Sequence, residues 1–196
     1  MAIYASQTKV ELREVLLKNK PAAMIQASSK ATVPVLILTD GSVIDESVDI
    51  MLWSLQLNDP QHWLSFPNEQ ISLLIGENDN IFKIHLDHYK YADRFPEHPS
   101  LYYRQKGEVF LQQLETRLQQ HQFLLGNSTS LADIALFPFI RQFAYVDIKW
   151  FDNCPYPRLI QWLNYWINNE LFLKVMNKYP QWEQNLPPGQ YQPVIF

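Results

Sequence analysis

The chain has 196 residues, enough for one domain or two small ones, with 47% hydrophobic, 14% aromatic and only 18% charged residues. A net charge of −4 and a pI near 5.7 argue against a nucleic-acid partner, which needs a basic face. A single cysteine excludes an internal disulfide, no apolar run reaches spanning length, and the start has no charged-then-apolar signal pattern; together these read as a soluble cytoplasmic protein.

In chain order, Lys9–Val15 alternates, with Val10 and Leu12 on one side and Glu11 and Arg13 on the other, which is strand period, and Lys9–Leu17 is taken as a strand. A brief helix is expected in "NKPAAMIQAS", with Pro21 in its first turn. The continuous, β-branched Val33–Leu38 reads as a buried strand. Asp40-Gly41 is a hairpin turn leading to a short strand at Ser42–Ile44. Val48, Met51, Leu52 and Leu55 then recur at helical spacing. "NDPQHWLSFPNEQ" has two prolines and no period, so residues 59–68 are taken as a linker between units at 1–58 and 69–186. The second unit is helical throughout. Leu111, Leu114 and Leu118 share one face, and Leu159, Trp162, Leu163 and Trp166 another, before an irregular tail at 187–196.

Three local features carry chemistry. A proline opening a strand, as in Val33-Pro34, is ordinarily an edge residue, and only about 5–6% of X–Pro bonds are cis. A cis bond here would present the Val33 backbone to a ligand. Asp45-Glu46-Ser47 reads first as the acidic cap of a helix. Read functionally, Ser47 and the first N–H groups would hold a carboxylate, and Glu46 the ammonium of the same amino acid. Ser130 and Asp133 in "SLAD" have the spacing of a capping box, a structural device opening the helix that Pro138 should kink. "CPYP" at Cys154 imitates a redox site but lies among helices, so an inert thiol is expected. His85, Asp87 and His88 have no further ligand cluster; they read as solvated, and no metal is expected.

The order "TVPVL", "DG", "ES" before an amphipathic helix, a Pro-bearing linker and "LLGNSTSLADIALFPF" resembles the cytosolic glutathione transferases over most of the chain. "LKNKP" (Leu17–Pro21) is most similar to omega-class and bacterial members, and "LDHYKYADRF" and "FPFIRQFAYVD" strengthen the bacterial comparison. The resemblance implies an α/β plus all-α fold: a thioredoxin-like domain, truncated at its start, followed by an all-helical domain. It implies glutathione as cosubstrate, a small electrophile or disulfide as second substrate, and it allows a homodimer.

Position by position, the resemblance makes Pro34 the cis-proline and pairs the Val33 backbone with the cysteinyl part of glutathione. It places Glu46 and Ser47 on the γ-glutamyl end and Lys20 on the glycyl carboxylate. The family's usual "PKG" is "SKA" here, at Ser29–Ala31. No residue matches the family's catalytic position, because the first strand and most of the first helix have no counterpart. The expectation is therefore binding with impaired turnover. Its rivals are a non-catalytic glutathione-binding or interaction module on the same fold, and a reading frame opened downstream of the true start. Without the family's central first strand, Lys9–Leu17 and Val33–Leu38 would each lose a partner. They would then pair directly, borrow a strand from another molecule, or leave the first segment disordered. The tail "YQPVIF" is the least suited substitute, because of Pro193.

Overall fold

The computed structural model describes residues 1–182. The chain divides into two compact units, one of residues 1–60 with the described residues from Leu173 onward, the other of residues 61–172.

In the first unit, α1 (Ala2–Ala5) packs on α3 (Ser47–Leu57), and the Asn58 amide at the end of α3 donates to the Ser6 carbonyl at 2.9 Å. Between them lie α2 (Ala22–Ala27) and the hairpin β1 (Leu36–Ile37) and β2 (Val43–Ile44), paired antiparallel with Leu36 opposite Ile44 and Ile37 opposite Val43. The hairpin turns as the Asp40-Gly41 pair requires. Gly41 takes φ +87°, and the Asp40 carboxylate accepts both the Ser42 N–H (2.9 Å) and hydroxyl (2.6 Å), which holds its pKa below the ordinary range.

Two expectations are corrected here. Lys9–Leu17 is not a strand: Leu16 makes an isolated bridge to Asn19, and the Glu14 carbonyl accepts from Trp182 N–H at 2.7 Å. Nor does the segment pair directly with β1, since the described sheet contains β1 and β2 alone. Alternation specifies which side chains could face a core, but a strand exists only through a partner's backbone groups. The helical spacing from Val48 to Leu55 is borne out as α3. Ile50, Ser54 and Leu55 are buried, whereas Val48, Met51 and Leu52 are only half-buried. The tail "YQPVIF" lies outside the described residues.

The second unit is helical: α4 (Asn68–Glu77), a π-helical turn at Asn78–Phe82, α5 (Lys83–Lys90), α6 (Ser100–Gln120), α7 (Leu131–Ala144), α8 (Ile148–Phe151) and α9 (Pro157–Ile167). α7 runs through Pro138 as a single helix. α5 and α9 pack on α6, and α4 and α5 on α7. Both periodic stripes are in the core: Leu111, Leu114 and Leu118 on α6, and Leu159, Trp162, Leu163 and Trp166 on α9. Each such side chain contributes roughly 1.5–3 kcal/mol by leaving water. Phe82 joins the layers, its ring 5.1 Å from that of Phe110 and 5.3 Å from that of Phe143. Gly107 of α6 admits Phe143 so closely that a Cβ there would lie 2.5 Å from its ring.

Residues 58–67 have no helix or strand, yet Trp63 is fully buried and its carbonyl accepts the Leu131 N–H at 3.0 Å. The segment is therefore fastened to the start of α7. No helix among the described residues is long and apolar enough to cross a membrane.

Candidate functional site

The hairpin register explains how two separated stretches come together. Because Leu36 faces Ile44, the two chains carry Val33-Pro34 and Glu46-Ser47 to the same end of the β1–β2 ladder. The Val33–Pro34 peptide is cis, as expected, and Val33 is 47% exposed. Glu46 is the N-cap of α3 in extended conformation (φ −111°, ψ +132°), with its carbonyl accepting the Ile50 N–H at 3.0 Å. Ser47 is the first helical residue, and no side chain caps the helix. Its first N–H groups and positive dipole end are thus available to an anion.

A cationic bridge that sequence reading missed lies beside them. Lys30 Nζ donates to Asp45 Oδ1 at 2.9 Å and to Glu46 Oε1 at 2.5 Å, and Ser28 Oγ donates to Asp45 Oδ2 at 2.6 Å. The hydrogen bonds to Glu46 and then Asp45 push the Lys30 ammonium up to about 12, and Ser28 and then Lys30 hold the Asp45 carboxyl below its usual range. The turn that places Ser28 and Lys30 side by side is closed by Ala31 N–H donating to the Ser28 carbonyl at 3.1 Å, with Ala31 at φ +51°. That left-handed conformation favours glycine, which gives the sequence departure "SKA" for "PKG" a physical meaning. Lys30 is the residue that "SKA" keeps from "PKG", and its partners lie 15 and 16 residues away.

Lys20 is half-buried in the Leu16–Pro21 segment, and no hydrogen bond or ion pair joins it to Glu46 or Ser47. The hairpin register thus brings Val33, Pro34, Glu46 and Ser47 to one end of the ladder, and no hydrogen bond or ion pair joins Lys20 to them.

Ser130 and Asp133 form the expected capping box in the second unit. Asp133 is fully buried and accepts from Ser130 N–H (2.9 Å), Ser130 Oγ (2.6 Å), Leu124 N–H (3.0 Å) and Trp162 Nε1 (2.8 Å). Burial, the largest influence, pushes its carboxyl up against the pull of these four donors. Cys154 is buried before α9, and burial raises its thiol pKa, as suits an inert cysteine. His88 departs from the solvated reading, since its ring stacks on Phe95 at 3.8 Å and meets the edge of Tyr103 at 4.9 Å. Among the described residues no group of three or more His, Cys, Asp or Glu is placed to hold a metal.

Two family models match the chain: "Glutathione S-transferase, N-terminal domain" over residues 1–62 and "Glutathione S-transferase, C-terminal domain" over residues 104–164. A search of curated proteins finds no match. Among solved structures, the chain is similar to BphK, a bacterial glutathione S-transferase in a ternary complex, at 22% identity over 88% of each chain with a TM-score of 0.73. A glutathione transferase homologue from Sulfitobacter with bound glutathione is 14% identical, covering 89% of this chain and 88% of its own, with a TM-score of 0.71. A glutathione S-transferase from Rhodospirillum rubrum F11 is 18% identical over 97% of this chain and 90% of its own, with a TM-score of 0.70. At these identities the similarity is one of fold.

Proposed function

We propose, from the premise that the chain belongs to the glutathione S-transferase family, that its N-terminal unit binds glutathione for conjugation or thiol transfer to a small electrophile or disulfide. One observation carries the reading: the hairpin register brings Val33-Pro34 and the uncapped start of α3, with Glu46 and Ser47, to one end of the hairpin. Glutathione offers two carboxylates and one ammonium. In this reading the Val33 backbone pairs with the cysteinyl amide, and Glu46 takes the α-ammonium. Ser47 and the first N–H groups of α3 take the γ-glutamyl carboxylate, and Lys20 takes the glycyl carboxylate. The Sulfitobacter homologue, which has glutathione bound, lends this ligand further support.

The nucleophile in such chemistry is the glutathione thiolate, so a competent site must favour its deprotonation. Cys154, the chain's one cysteine, is buried with a raised pKa and takes no part in this reading. In this reading no described residue is assigned the thiolate-stabilising task. The alternative is a non-catalytic glutathione-binding or interaction module on this fold. A glutathione titration paired with conjugation and thiol-transferase assays separates the two. Binding with turnover at ordinary transferase rates supports the enzyme, binding without turnover supports the glutathione-binding module, and absence of binding rejects both and leaves the interaction module. The family setting is consistent with a cytoplasmic homodimer, which light scattering and fractionation would test.

A further inference from the structure

Lys30 brings a primary ammonium between two carboxylates at the head of α3. Ser28 and the turn through Ala31 anchor one side of the arrangement, and Glu46 closes the other. A primary ammonium is also the group that the γ-glutamyl end of glutathione presents, and in the site proposed above Glu46 receives it. We propose that Lys30 is an internal stand-in for the ligand ammonium, holding Glu46 in the unliganded protein and giving way when a ligand with an α-ammonium seats at α3. This rests on the reading of Glu46 and Ser47 as the γ-glutamyl contacts.

The two arms of the bridge are unequal in the way such a device requires. The Asp45 side chain is 27% exposed and keeps its bond from Ser28 whether or not Lys30 stays. The Glu46 side chain is 62% exposed, and Lys30 is the one side chain among the described residues that bonds it. The Glu46 arm is therefore the one that yields, and an exposed pair of this kind is weak enough for a ligand to replace. Its replacement conserves charge pairing, since one ammonium leaves Glu46 as another arrives. Lys30 stays near Asp45 after release, so the exchange needs only rotation about the flexible lysine stem. A ligand with a blocked amine has no cation to offer Glu46 and leaves Lys30 in place, so Lys30 competes only with ligands that carry the α-ammonium.

The test is calorimetric titration of glutathione, and of its analogue acetylated on the γ-glutamyl nitrogen, into the wild-type chain, Lys30→Met, Lys30→Gln and Glu46→Gln. All are surface changes, and matched unfolding curves check the fold. Both Lys30 variants should bind glutathione about two- to fivefold tighter, the span of an exposed ion pair, with no such gain for the acetylated analogue. Unchanged or weaker glutathione binding in both variants overturns the proposal, as does an equal gain for both ligands. If Glu46→Gln loses glutathione affinity while the Lys30 variants gain none, the site stands and the stand-in role falls. If Glu46→Gln changes nothing, the site reading itself falls and takes the stand-in role with it.

Discussion

Two helix starts in this molecule solve the same problem in opposite ways. Every α-helix begins with N–H groups that its own ladder leaves unpaired. At α7, Ser130 and Asp133 close that end from within, and the same carboxylate also serves Leu124 and Trp162, all out of water. At α3, the cap residue Glu46 points its carboxylate at Lys30 and no side chain turns back to the helix. The acidic side chain is a structural hub in the first case and an exposed, exchangeable pair in the second. A helix start closed by its own side chains has no capacity left for a ligand, whereas the one at α3 keeps it.

The sharpest attempt to break this contrast is Asp133→Ala. It strands the Leu124 N–H, the Ser130 N–H and the Trp162 indole in a dry interior, each orphan costing roughly 1–3 kcal/mol. Partial relaxation leaves an expected loss of about 3–5 kcal/mol in urea unfolding, with little change in glutathione affinity for whatever fraction remains folded. Glu46→Gln should reverse the pattern. Unfolding free energy should move by less than about 0.5 kcal/mol, as for an exposed pair, while glutathione Kd rises about tenfold. Equal stability losses at the two helix starts would end the comparison.

A smaller effect should follow Ala31→Gly. Relief of the left-handed strain at φ +51°, worth about 1–2 kcal/mol, outweighs the added freedom of the unfolded chain, for a net gain of about 0.5 kcal/mol in the same unfolding assay. The least effect concerns pH. Tyr156 donates to Glu108 at 3.1 Å, and burial first, then Glu108, pushes its phenol up to about 12. Folding therefore favours the protonated phenol. The stability this contributes is fully present below the unfolded pKa of about 10 and is lost as pH rises from 10 through 12. Tyr156→Phe should flatten that part of the alkaline stability curve, and absorbance titration should show one late-ionising tyrosine that the variant lacks.

What the sequence made legible was local. The stripes on α6 and α9, the Asp40-Gly41 turn and the Ser130/Asp133 box each depend on residues within a few positions of one another, where spacing is geometry. The cis Val33–Pro34 bond came from the family resemblance, since base rates alone argued against it. What stayed hidden was relational. Lys9–Leu17 has the period of a strand but no ladder partner among the described residues. Two of the donors that make Asp133 a hub lie 9 and 29 positions away. Lys30 was visible only as the residue that "SKA" shares with "PKG", while its carboxylate partners, across the β-hairpin, were not.

The interleaving of the two units has a consequence for synthesis on the ribosome. The Glu14 carbonyl accepts the Trp182 N–H, the Arg13 guanidinium lies 5.0 Å from the Trp182 ring, and Lys174 lies 5.8 Å from that of Tyr4. The helical unit, by contrast, is one unbroken stretch from Gln61 to Phe172. As the chain emerges from its N-terminus, the helical unit is the first to have all of its residues outside the exit tunnel. The unit that carries Glu46 and Ser47 must wait, incomplete, until the segment beyond Leu173 arrives. Expression of residues 61–172 alone should therefore give a closed helical body. A fragment ending at Pro60 would lack part of its own packing, however complete its ligand-binding residues.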